Sequence, residues 1–490
     1  MSLATSNFDP IAAAIAIGGG ALVLAFLGLR HLLTERRKPT IRQVFLRFFG
    51  PDLGRLETHD KYFPGYDLAS VNRALSSFRE DCCTAFREVG ATLPHLTGMR
   101  MLLDTIQTPQ FRNLEPTALT YQRVPVDIHE EASFPSSGIF LAEVRSEAGG
   151  DRIAILLSAH WTRDSHNGMD TQNAPRQQIA VSIACRSRAV ADRFFTELEE
   201  RRRRLCVYRG KVIDPVVGPA GIFTIGFRAI HKVREEDLIL PTSVKDLVRR
   251  AVLGFCEHAD VLRRLGIDLK RGVLFHGPPG TGKTSLSLYL AGRLPQFTVC
   301  FISGERLLYP REICRMGRYL QPAMIVFEDI DLVALERNAN GLATVLGELM
   351  NQIDGCEPTD QVLFVMNTNS LERLEHAVKD RPGRVDQIIA IPLPGRAERR
   401  QLLGHFARGA RVAVDDWDRV LLATEGMTPA MLKEIVKRAA VNAIERNGHG
   451  GRADALTIEE SDLLLAAEQV PALREPERVP GALGFREEKR

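Results

Sequence analysis

RGVLFHGPPGTGKTSLSLYLAGRL, Arg271 to Leu294, is the stretch on which the fold turns. An apolar run leads into a loop of glycine and proline, and an apolar-periodic stretch follows: strand, loop, helix. Gly277, Pro278, Pro279, Gly280, Thr281, Gly282, Lys283 and Thr284 match the phosphate-loop pattern G-x-x-x-x-G-K-[ST] in the context it requires. Glycines there let backbone N–H groups turn inward around phosphate, and the helix N-terminus adds its positive end. Lys283 suits the β- and γ-phosphates as a point charge, the Thr284 hydroxyl suits Mg²⁺, and Ser285 completes the nucleotide-binding set.

Working outward, TVCFIS, AMIVFEDID and QVLFVMNTN read as three further strands separated by helical patterns. Such alternation predicts a parallel sheet covered by helices on both faces. The second of these, continued as AMIVFEDIDLV from Ala323 to Val333, ends in acids about 40 residues after the loop. One acid is expected to hold Mg²⁺, usually through water, and its neighbour to polarise the attacking water. Here Glu328 stands first and Asp329 second, where the commonest order is Asp-Glu. Each differs from the usual acid by one methylene, roughly 1.5 Å of reach. A displacement of an ångström can cost about a hundredfold in rate, so an impaired site is the competing reading.

Two further groups point to a working site. VMNTNSLERL places Asn369 at a strand tip, where an amide can sense the γ-phosphate and orient water. DRPGRVD offers Arg381 and Arg384 in a rigid turn. An arginine reaching a neighbouring subunit's site is worth about 10³ to 10⁵ in rate, which suits a ring better than a monomeric kinase.

Together, GPPGTGKT, the acidic strand, the TN tip and RPGRVD resemble the AAA family of AAA+ ATPases, over about residues 236–468. TEGMTPAMLKEIVKRAAVNAIER is similar to the family's lid helix, with Thr428, Pro429 and Ala430 in place of a Thr/Ser-Gly-Ala start. The Glu-Asp-Ile-Asp order resembles the branch of mitochondrial translocases that assemble respiratory complex III, and their bacterial relatives. That resemblance implies a transmembrane helix, a mostly β middle domain and a hydrolysis-competent reversed pair. It also implies ATP and Mg²⁺ as cofactors, with Thr284 and Glu328 on the metal. A homo-oligomeric ring of six or seven subunits follows, with Arg381 and Arg384 reaching into the neighbour. The family's peptide-threading loop corresponds to SGERLLYPREICRMG, with Leu308 and Tyr309 as candidates but Pro310 where glycine is usual. The H-E-x-x-H of membrane zinc proteases is absent from the sequence.

The N-terminal half carries less chemistry. Ile11 to Leu29 runs 19 residues without a charge. As a helix it would span about 28 Å, close to a bilayer's hydrocarbon thickness. Arg30, Arg36, Arg37, Lys38 and Arg42 follow, while no Lys or Arg precedes it. This predicts a single-pass protein in contact with the lipid bilayer, N-terminus outside and ATPase cytoplasmic. A bacterial inner membrane is favoured over a mitochondrial one because no basic presequence is present. The net charge of +3 argues for no nucleic-acid partner. Eight cysteines without a C-x-x-C read as reduced thiols.

The expected organisation is thus an anchor at 1–32, a helical juxtamembrane region at 33–117 and an α+β middle domain at 118–235. An α/β P-loop AAA+ core at 236–397, a helical lid at 398–468 and a disordered tail at 469–490 complete it. Within the middle domain the run Arg201 to Arg204 is expected at a solvated helix end, with phosphate or lipid contact as the alternative. His160 and His166, which bound HWTRDSH without a metal-ligand cluster around them, read as surface polar residues. The expected function is ATP-driven remodelling or translocation of an unknown protein or protein complex. The alternative is an assembly switch or scaffold in which hydrolysis only resets the ring.

Overall fold

A computed structural model describes residues 39–90, 98–145, 150–162, 176–217, 223–332, 343–372, 374, 385–446 and 456–470. Among these no helix is long and apolar enough to cross a membrane. The expected span at 11–29, His166, Arg381, Arg384 and the tail beyond 470 lie outside the described residues. The chain divides into two compact units.

The first unit is built on a six-stranded sheet. Its strands are β1 (Glu57–Pro64), β2 (Cys83–Gly90), β3 (Thr120–Asp127), β4 (Glu130–Val144), β5 (Asp151–Thr162) and β6 (Arg176–Cys185). Their order is β1-β6-β5-β4-β2, with β3 also paired to β4. The β1–β6, β4–β5 and β2–β4 pairs are antiparallel. On one face lie α1 (Ile41–Phe49) and α3 (Met99–Gln107), whose Phe45, Leu102 and Ile106 pack with Leu141 and Leu156. Thr40 and Gln43 form a reciprocal capping box that starts α1. The partner helices α2 (Leu68–Cys82) and α4 (Arg188–Arg204) meet through Phe78 and Phe194, ring centroids 5.0 Å apart.

Three expectations are corrected here. Residues 33–117 are not a helical region, because β1 and β2 belong to the sheet. Glu57, Asp60 and Lys61 obscure β1 in the sequence, as suits a strand at the sheet's edge. The middle domain does not extend to 235, since β7 (Val212–Val217) and β8 (Phe223–Phe227) enter the second unit's sheet. Arg201–Arg204 is a solvated helix end only in part, because Arg203 and Arg204 are exposed while Arg201 and Arg202 are not. The Arg202 side chain is 2% exposed, 3.0 Å from Asp67 and 2.6 Å from Glu199, and Arg201 pairs with Asp81 and Glu197. Burying a guanidinium is tolerable only with such partners. His160 is half-buried, its Nδ1 3.3 Å from the Ser158 carbonyl.

The second unit is a seven-stranded sheet adding β9 (Arg271–His276), β10 (Thr298–Ile302), β11 (Ala323–Phe327), β12 (Val362–Thr368) and β13 (Gln387–Ala390). The order is β13-β9-β12-β11-β10-β7-β8, parallel except for the terminal β7–β8 pair. β10, β11 and β12 are buried at every position, which is why they read as unbroken apolar runs. Helix α5 (Lys283–Arg293) follows the phosphate loop, and α6 (Pro310–Tyr319) follows β10. The lid comprises α7 (Arg396–Phe406), α8 (Trp417–Ala423), α9 (Pro429–Arg446) and α10 (Glu460–Gln469) around Leu403, Val420, Ile435 and Leu463. It is not helical throughout, because Arg411–Ala413 and Thr457–Glu459 form a short parallel pair.

Candidate active site

All parallel strands of the second sheet point their C-terminal ends the same way, so the residues just past β9, β11 and β12 gather at one edge. The loop after β9 needs its glycines. A Cβ on Gly277 would meet the Ile391 carbonyl oxygen at 2.1 Å. Gly280 has φ +79°, and a Cβ there would sit 3.0 Å from Ala430 of the lid. The lid closes on the loop through Ala430 N–H, which donates to the Gly280 carbonyl at 3.2 Å. Thr428 caps α9 by accepting from Met431 N–H at 3.3 Å. Pro429 at the first helical position needs no partner for its nitrogen, so the missing glycine of the lid motif costs the helix start nothing.

Lys283 is buried, and its ammonium donates to the carbonyls of Gly277 and Pro278 at 2.8 and 2.9 Å. Burial pulls the ammonium below the usual lysine range, while Asp329, Asp331 and Glu328 pull it back up. His276, beside it at the end of β9, is lowered by burial and by the Lys283 charge. Thr281 donates to the Pro278 carbonyl at 2.9 Å and stiffens the loop. Pro279, Gly280, Thr284 and Ser285 are exposed, while Gly282 opens α5 at φ +101°.

The two acids of the reversed pair part company here. The Thr284 hydroxyl donates to Glu328 Oε2 at 2.9 Å, so the first acid meets the loop's metal-binding hydroxyl despite the added methylene. Asp329 turns the other way and accepts from the Asn369 amide at 2.9 Å. Asp329 has φ +49°, and is the one non-glycine with positive φ among the described residues. That conformation costs on the order of 1–2 kcal/mol, tolerable for aspartate, and concentrates at functional sites. Asn369 is held in turn by Asp331, whose Oδ1 accepts the Asn369 backbone N–H at 3.0 Å and the Thr368 hydroxyl at 2.9 Å.

The residues fit a magnesium ion. Thr284 and Glu328 supply hard oxygen donors, and Glu328 Oε1 is buried without a hydrogen-bond partner. Asp331 and Thr368 lie within the sequence motifs but carry no assigned role there, and Asn367 and Ser287 carry none either. For Asn367 and Ser287 the only sequence signal is polarity inside an otherwise apolar strand and helix.

Residues 273–393 match the family model described as "ATPase family associated with various cellular activities (AAA)". The chain carries an AAA ATPase domain. ATP and Mg²⁺, expected from the motifs, are the ligands of this domain family. The proteasome-activating nucleotidase of Aeropyrum pernix is 35% identical over 249 residues, 48% of this chain and 58% of that protein. The ATP-dependent zinc metalloprotease FtsH 3 of Synechocystis sp. is 32% identical over 212 residues, 40% of this chain and 34% of that protein. The chain thus spans less than two thirds of either relative. A solved FIGL-1 AAA domain is 23% identical, covering 51% of this chain and 87% of that one, at a TM-score of 0.43.

In the AAA domain the threading-loop candidates fall just before α6. Leu308 is exposed, whereas Tyr309 is half-buried at the helix N-cap, followed by buried Pro310. Asp386, the last residue of RPGRVD, accepts from Gly272 N–H at 2.7 Å, next to β13.

Proposed function

We propose that this protein is a membrane-anchored ATPase that forms a homo-oligomeric ring and uses hydrolysis to remodel or translocate a protein or protein complex. The observation that carries the reading is the pairing of Thr284 with Glu328 and of Asn369 with Asp329 at one sheet edge. Lys283 would face the β- and γ-phosphates of a bound nucleotide, and the Thr284 hydroxyl and Glu328 would hold the metal. Mg²⁺, when bound, offsets charge on the phosphate oxygens. Asp329 accepts the proton side of the attacking water, with Asn369 fixing the carboxylate's direction. Arg381 and Arg384 act on the neighbouring subunit's nucleotide. A protein substrate is supported by relatives whose names tie them to proteasomes and ATP-dependent proteolysis. The anchor rests on the uncharged run 11–29 and the basic residues after it, with the ATPase on the cytoplasmic side of a bacterial inner membrane.

The test uses the full chain in detergent: phosphate release and nucleotide retention, beside Asp329→Asn and Arg381→Ala. Turnover by wild type, trapped ATP in Asp329→Asn, and rescue of Arg381→Ala on mixing with Lys283→Ala subunits are the expected results. Nucleotide-dependent assembly without turnover would favour the switch reading. Tyr309 at a helix cap is the observation on that side. Tyr309→Ala should abolish substrate remodelling under the first reading and spare assembly under the second.

A further inference from the structure

Asn367 is a polar residue that the nucleotide-site motifs leave unassigned. It lies in β12, where every side chain is buried, and is itself 1% exposed. A buried amide costs about 1–3 kcal/mol when its hydrogen bonds are not replaced, so an amide in this apolar strand needs a reason. Its partners supply one. The Asn367 amide nitrogen donates to Ser287 Oγ at 3.0 Å and to Glu328 Oε2 at 3.0 Å. Ser287 donates its own proton to the Lys283 carbonyl at 3.2 Å, so it stands as an acceptor toward Asn367. Both partners therefore demand a donor, which fixes the amide's orientation.

The result is a closed set of contacts between α5 and two adjacent strands. β11 and β12 run parallel in the register Phe327↔Met366, which brings the next residues, Glu328 and Asn367, side by side. Thr284 and Ser287 are three apart and share a face of α5. Glu328 Oε2 accepts from Thr284 and Asn367 together, while Glu328 Oε1 and Asn367 Oδ1 remain buried without partners. The unpartnered Glu328 Oε1 beside an exposed threonine hydroxyl suits a cation that keeps part of its water shell.

We infer that Asn367 is a positioning residue for metal binding, holding the longer Glu328 side chain against Thr284 so that a glutamate serves where an aspartate is usual. The inference rests on the ATPase reading. Asn367 acts through Glu328 and touches neither nucleotide nor metal in this role. Ser287 sets the amide, the amide sets the carboxylate, and the carboxylate sets the hydroxyl.

The test is equilibrium binding of a fluorescent, slowly hydrolysed ATP analogue to the full chain, with Mg²⁺ and with EDTA. Asn367→Ala should leave the EDTA affinity within about twofold and cut the gain from Mg²⁺ by about tenfold. In a Glu328→Ala background the same change should add less than about twofold, because its target is gone. Asn367→Leu, which nearly keeps the shape but loses the donor, should lose the Mg²⁺ gain while the EDTA affinity holds within about twofold. It carries the test if the alanine variant does not fold. Equal loss in Mg²⁺ and EDTA, or an undiminished loss in the Glu328→Ala background, would reduce Asn367 to a packing role and overturn the inference. A wild type that binds no nucleotide in either buffer would sink the ATPase reading and this inference together. A wild type with a normal Mg²⁺ gain beside unchanged Asn367 variants would sink this inference alone.

Discussion

The two sheets of this chain handle charge in opposite ways. In the first unit the strand pairs are antiparallel, so neighbouring strands end at opposite edges. Its charges neutralise one another: buried Arg202 with Asp67 and Glu199, and the partly exposed Lys61 with Glu199 at 3.3 Å. In the second unit parallel strands end together, and Glu328, Asp329, Asp331, Asn367 and Asn369 collect at one edge. There the acceptors are only partly satisfied, with Glu328 Oε1 and Asn367 Oδ1 unpartnered. Charge closed on itself marks a structural element, and acids left open at converging strand ends beside a phosphate loop mark a site awaiting a ligand.

The comparison is most sharply tested in the open network. Lys283→Ala should weaken nucleotide binding by at least about 100-fold, roughly 2.7 kcal/mol, with the fold retained; titration of a fluorescent nucleotide measures it. Asp329→Asn should lower phosphate release by at least about 100-fold while nucleotide stays bound. Rapid turnover by that variant would remove Asp329 from its role.

The closed network should respond through stability alone. Arg202→Ala leaves Asp67 buried without its cation and should destabilise the first unit by about 3–5 kcal/mol. In calorimetry a nucleotide-insensitive transition should move down while nucleotide affinity holds. Weakened nucleotide binding would blur the distinction between the units.

The smallest effect is a pH dependence. Burial pushes the Glu199 carboxyl up, but hydrogen bonds and charge from Arg202 and Lys61 outweigh it and bring it down to about 2 from an ordinary 4.5. A depressed carboxyl stabilises the fold above its unfolded value and loses that contribution as pH falls from about 4.5 toward 2. Glu199→Gln should flatten the first unit's stability across that window. An unchanged acid limb, followed by circular dichroism, would deny Glu199 its part in the closed network.

Much of the site was legible because local chemistry dictates it. GPPGTGKT forces glycine conformations and a helix start, and the apolar runs β10 to β12 follow from burial on both faces. Asn369 was readable as a strand tip. Asn367 was not, because a single amide in an apolar strand has no local signature and acquires meaning only beside Glu328. The strand β1 was hidden for a related reason: its mixed polarity matches a sheet edge, and the pairing with β6 spans more than 100 residues of chain. The same holds for Arg202, which reads as part of a charged helix until Asp67 arrives from 135 residues away.

By itself, then, the sequence determined the phosphate loop, the parallel ATPase core and the order of its acids. These depend on backbone conformation and hydrophobic period within short windows. Tertiary structure alone decided where the units divide, that Arg202 is buried, and that the reversed acids face different partners. Those outcomes depend on side chains distant in sequence meeting in a low-dielectric interior, where each polar atom must find its complement.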